Sequence, residues 1–74
     1  MEESLGAIVH GHRKRSGLSR ERLAEIAGVG KTVIYDIEHG KASVRYITVK
    51  KVLDALNIRI RFVSPFEENA DEKS

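Results

Sequence analysis

Apolar residues recur at helical spacing through most of this chain and switch to strict alternation near its end. Leu5, Ile8 and Val9, followed by His12 and Arg13, predict a first helix over residues 4–15, which Ser16-Gly17 ends. Ser19 can cap a second helix, with Glu21 in its positive first turn. Leu23, Ala24 and Ala27 form its inner face, and Gly28 supplies a left-handed exit. Only Gly28 and Val29 separate this helix from Gly30. The run "KTVIYDIEH" then places Ile34 and Ile37 on one face and Lys31, Thr32, Tyr35 and Asp36 on the other, a short one-sided helix closed by Gly40. Between Val44 and Leu56, the positions Val49, Val52, Leu53 and Leu56 predict a further amphipathic helix.

At "IRIRFV", residues 58–63, Ile58, Ile60 and Phe62 alternate with Arg59 and Arg61, the period of a half-buried strand. A single strand leaves its backbone donors and acceptors unpaired, so its natural mate is the same strand of a second copy. Pro65 ends such pairing. The stretch "EENADEKS" has no apolar content with which to fold, and residues 64–74 are expected to be an acidic, disordered tail after a domain covering residues 1–63.

Composition strengthens the expectation of an oligomer. The chain has 74 residues and no cysteine, so neither disulfides nor a cysteine-based zinc site can staple it. A core of this size rarely supplies more than about 3–5 kcal/mol, and a second copy is the usual remedy. No apolar run is long enough to span a membrane, and a beginning that is acidic before it is basic does not resemble a targeting peptide. A reducing cytoplasm is the expected location. The formal charge of +2 conceals an asymmetry. Residues 1–63 hold 12 Lys/Arg against 7 Asp/Glu, a net of +5, whereas Glu67, Glu68, Asp71 and Glu72 crowd the last ten positions. A basic body of this kind suits a polyanion such as nucleic acid.

Gly30-Lys31-Thr32 has the ending of a phosphate-binding loop. Such a loop also needs a glycine five residues earlier and a buried strand before it, whereas position 25 is Glu25 and the segment upstream is helical. His10 and His12 are two apart and so point to different sides of their helix, which prevents them from chelating one ion, and His39 has no evident partner. No arrangement of nucleophile, base and acid is discernible. An enzyme is therefore not expected, nor a metal, cofactor or small-molecule substrate.

Two short helices joined by a tight glycine turn, the second apolar inside and polar outside, form a helix-turn-helix, whose second helix can enter the major groove of DNA. At "LSRERLAEIAGVGKTVIYDIEHGK" the sequence resembles the Cro/CI-type (XRE) helix-turn-helix family. The likeness rests on Leu18-Ser19, Leu23-Ala24, Gly28-Val29, Ile34, Ile37, Glu38 and Gly40. It implies an all-α, lambda-repressor-like domain of four to five helices, here with a short C-terminal strand pairing across a homodimer. It also implies a base-facing set of Lys31, Thr32, Tyr35 and Asp36, and a structural ion pair between Arg13 and Glu38. Ser19 and Gly30 stand at the starts of the two helices that meet DNA, and Lys41 and Arg45 are candidate phosphate contacts.

Two positions depart from the family's habit. Arg20 and Lys31 stand where many members have glutamines that bond to each other, and two donors cannot pair directly. Arg20 is thus expected on a phosphate, and Lys31 on a guanine edge or a phosphate. Further along, "ASVRYITVKKVLDALNIRIRFVSP" resembles the end of the HipB-like antitoxins. That resemblance implies a dimer joined through Ile58, Ile60 and Phe62, repression of its own operon at a palindromic operator, and a HipA-like serine/threonine kinase toxin as partner. A stand-alone XRE-type repressor without a toxin is the alternative.

Overall fold

A computed structural model describes residues 4–41, 43–61 and 64. Four helices are formed among them: α1 (Leu5–Arg15), α2 (Arg20–Ala27), α3 (Lys31–Glu38) and α4 (Tyr46–Ala55). Their starts and stops follow local chemistry. Ser4 Oγ accepts from the Ala7 amide at 3.1 Å, and Ser19 Oγ accepts from the Arg22 amide at 3.0 Å, so each hydroxyl satisfies a donor that the first helical turn leaves open. Gly28 leaves α2 at φ 74°, and the Val29 amide donates back to the Ala24 carbonyl at 3.0 Å.

α4 ends in the same way but with an asparagine. Asn57 has φ 60°, and the Ile58 amide reaches back to the Leu53 carbonyl at 2.8 Å. Asparagine tolerates the left-handed region better than most residues, which suits it to this exit. The helix also begins later than its periodicity predicts, because Arg45 is extended and serves as N-cap without a side-chain bond.

The core is small. Val9 of α1, Leu23 and Ala24 of α2, Ile34 and Ile37 of α3, and Val52 and Leu53 of α4 are buried together, with Leu18, Val29, Val44 and Leu56 packed around them. α3 lies against both α1 and α2, and α2 also carries α4. One glycine sets how closely α1 approaches α3. A Cβ on Gly6 would sit 2.6 Å from the carbonyl oxygens of Ile37 and Glu38, so no larger residue fits without moving the backbone.

The strand expected over residues 58–63 is not formed by its described part. Residues 58–61 adopt no regular element, and no strand occurs among the described residues. The alternation itself is present: Ile58 and Ile60 are half-buried against the core, while Arg59 and Arg61 are exposed. The physical reason for the difference is that strand structure needs a ladder partner, and the described residues supply none. Phe62 and the acidic tail from residue 65 onward lie outside the described residues. No helix among those described is long and apolar enough to cross a membrane.

Candidate nucleic-acid interface

α2, the turn at residues 28–30 and α3 form the candidate site. Ile34 and Ile37 anchor the inner face of α3 in the core, and Val33 is half-buried beside them. The same helical geometry turns Lys31, Thr32 and Tyr35 outward, where all three are exposed, and leaves Asp36 half-buried at the margin. Gly30 caps the helix from an extended conformation with no side-chain bond. The first amides of α3 are therefore covered by no side chain at the cap. Ser19, at the matching position of α2, is exposed, but its hydroxyl is engaged in its own cap.

Behind this surface, three side chains converge on one carboxylate. Glu38 Oε2 accepts from Arg13 Nε at 2.6 Å, and its Oε1 accepts from Arg20 Nε at 3.0 Å and from Arg13 Nη2 at 3.3 Å. His10 Nδ1 lies 3.2 Å from the same Oε1. The Glu38 side chain is only 2% exposed, and that of Arg13 only 7%. Burial alone would push the Glu38 carboxyl up, but the bonds from Arg13, His10 and Arg20, together with the Arg13 charge, hold it well below the usual range, at about 2. Arg13 Nη1 also donates to the Leu18 carbonyl at 2.8 Å, which pins the loop between α1 and α2. The carboxylate thus ties the end of α3 to both helices that precede it.

This geometry changes the setting of the two departures from the family's habit. Each of these donors has an acid within the fold. Arg20 binds Glu38 through Nε with its side chain 39% exposed, and Lys31 Nζ lies 3.2 Å from Glu21 Oε2 in an exposed pair. Glu21, placed by its sequence position in the first turn of α2, is also spatially beside Lys31. Lys41 Nζ stands 4.0 Å from Asp36 Oδ1, and Arg45 is exposed at the start of α4. The structure thus brings Arg20, Lys31, Tyr35, Asp36 and Lys41 into contact with one another or with their immediate neighbours.

Sequence reasoning missed three of these relationships. His10 and Arg20 join the Glu38 centre, and His39 stacks on Tyr35 with ring centroids 3.8 Å apart. The last had a signal in the i, i+4 spacing of two rings on one helix. The first two had none, because they depend on where helices meet. The other histidine of α1 is used locally, with His12 Nδ1 donating to the Ile8 carbonyl at 2.9 Å.

Residues 12–63 match the Helix-turn-helix family over most of the chain. The chain belongs to the XRE-type helix-turn-helix family. Membership of this family carries DNA binding and transcription regulation as its class of activity. Among relatives of this helix-turn-helix chain is an uncharacterized HTH-type transcriptional regulator, y4mF, of Sinorhizobium fredii (strain NBRC 101917 / NGR234). It is 38% identical over 63 residues, spanning 85% of this chain and 83% of the relative.

Proposed function

We propose that this helix-turn-helix chain is a sequence-specific transcriptional repressor that binds a palindromic operator as a homodimer. The observation that carries the reading is the division of α3 into a core-locked inner face and an exposed outer face bearing Lys31, Thr32 and Tyr35. A helix held this way can enter the major groove as a rigid reader. Lys31 and Thr32 face base edges, Lys31 exchanging its exposed pairing with Glu21 for a guanine or a phosphate. Tyr35 and Asp36 complete the base-facing set, with Asp36 accepting from a cytosine amino group. Ser19, Arg20, Gly30, Lys41 and Arg45 contact the sugar-phosphate backbone, which positions the helix without reading sequence. The relative named as an HTH-type transcriptional regulator supports the regulatory part of this reading.

The dimer joint is the segment of Ile58, Ile60 and Phe62, which pairs with its copy across a twofold axis. Support comes from the in-and-out alternation of residues 58–61 and from the absence of a ladder partner among the described residues. Such a joint would set two recognition helices about 34 Å apart, one DNA turn. The resemblance of the C-terminal stretch to the HipB-like antitoxins extends the proposal: the dimer represses its own operon and binds a HipA-like serine/threonine kinase toxin.

The deciding experiment joins two measurements. Ile60→Glu should convert a dimer to a monomer in light scattering and abolish tight binding to a palindromic duplex at the same time. A monomer that still bound the palindrome with undiminished affinity would remove the strand joint from the proposal. Co-purification with a kinase-like protein from the source cells is the expected result for an antitoxin. Recovery of the chain without one, still repressing, would leave a stand-alone repressor.

A further inference from the structure

Tyr35 lies against two other flat side chains. His39 stacks on its ring at 3.8 Å with an interplanar angle of 18°, and the guanidinium carbon of Arg20 lies 5.5 Å from the ring centre. His39 follows Tyr35 by four positions, so both side chains project from one side of α3, the side assigned above to DNA. The imidazole is held in a defined orientation, because its Nδ1 lies 2.8 Å from the Tyr35 carbonyl oxygen. A carbonyl can only accept, so Nδ1 carries a hydrogen and donates it.

That bond decides what the second ring nitrogen can do. In the neutral ring Nε2 has no hydrogen and can only accept, which gives a phosphate oxygen nothing to bond. In the protonated ring Nε2 becomes a charged donor, and a charged donor to phosphate makes one of the stronger hydrogen bonds. We propose that His39 is a proton-gated backbone contact: its protonated ring donates from Nε2 to a DNA phosphate, so that affinity for the duplex rises as pH falls. This rests on the DNA-binding reading above.

The surrounding charges leave room for such a contact. On α3, the Glu38 carboxylate is turned inward and shared among Arg13, Arg20 and His10, and Asp36 lies beside Lys41. From α2 comes the Arg20 guanidinium, against the same Tyr35 ring, and from α1 come Arg13 and His10, both of which are engaged with Glu38. Among the described residues, no ion pair or ring contact joins His39 to α4. A phosphate reaching the imidazole therefore meets Arg20 and Lys41 nearby, with Asp36 as the opposing charge. Stacking and the Nδ1 bond also hold the ring in advance, which lowers the ordering cost of the contact.

The test uses the full chain and a fluorescently labelled duplex that the chain itself selects from a random-sequence pool. Binding is followed by anisotropy at fixed ionic strength from about pH 8 to about pH 6, the range in which an imidazole changes charge. Wild type should bind about three- to tenfold more tightly at the acid end. The slope of log affinity against log salt should steepen there by about 0.9 per protomer, the signature of one more phosphate contact. His39→Gln should lose both responses, whereas His10→Gln should keep them. A second measurement needs no variant: the NMR titration midpoint of the His39 ring should move to higher pH when duplex is added, the reciprocal of the same coupling. An affinity that does not change with pH, or a pH response that survives His39→Gln, overturns the proposal. Failure to select any duplex overturns the DNA-binding reading itself and this contact with it.

Discussion

At the C-terminal end of α3, Glu38 is nearly inaccessible and receives donors from α1 and α2; at the N-terminal end, Lys31 is 65% exposed and has a single exposed partner. The two ends of one helix, eight residues long, are thus held with different firmness. A buried carboxylate deprived of its donors has no water to turn to, so its partners are obligatory. An exposed ammonium can exchange Glu21 for water or phosphate at little cost. The firm end fixes where α3 points, and the loose end is left to meet a ligand.

The contrast can be broken most severely at the firm end. Glu38→Ala leaves the buried Arg13 guanidinium without its counter-charge, and loss of one member of a buried pair costs about 3–5 kcal/mol, close to the entire stability expected for a domain of this size. Urea or thermal unfolding followed by circular dichroism should show a largely unfolded chain. Acid should act on the same group more gradually. Its folded-state value of about 2 lies below the ordinary carboxylate value of about 4.5, so its contribution is complete above that ordinary value and is lost as pH falls towards 2. The loss is on the order of 3 kcal/mol, and an unfolding series over this range should show it flattened in Glu38→Gln.

A smaller effect is expected where α1 approaches the same end of the helix. Gly6→Ala should destabilise by about 1–3 kcal/mol, because the obstructing atoms are backbone carbonyl oxygens that cannot swing aside. The helix-propensity gain of alanine, about 1 kcal/mol, only partly offsets this. A variant more stable than wild type in the same unfolding assay would show that the two helices have slack between them. The smallest effect belongs to the loose end. Glu21→Gln removes the exposed partner of Lys31 and should change stability by less than about 1 kcal/mol. A change as large as that of Gly6→Ala would mean that the loose end is structural after all.

Much of the helix-turn-helix was legible along the chain because its causes are local. Ser19 caps α2 through its own third neighbour, Gly28 turns at a positive φ, and Ile34 with Ile37 marks the buried face of α3. Asn57 shows the limit of that approach, since only its backbone conformation reveals it as the exit from α4. The strand at residues 58–63 shows another limit. Its alternation is written in the sequence and appears in the burial of residues 58–61, but a ladder requires a second strand, and none occurs among the described residues.

By itself, the sequence determined the helices, the tight turn at Gly28 and the division of α3 into an inner and an outer face, because hydrogen bonds and periodicity act over a few residues. The partners of Glu38 were decided only by the tertiary structure. Arg20, Arg13 and His10 lie 18, 25 and 28 residues from it along the chain, and nothing in local spacing brings them together. They meet because α3 buries its isoleucines against α1 and α2, and that packing delivers three donors to one carboxylate.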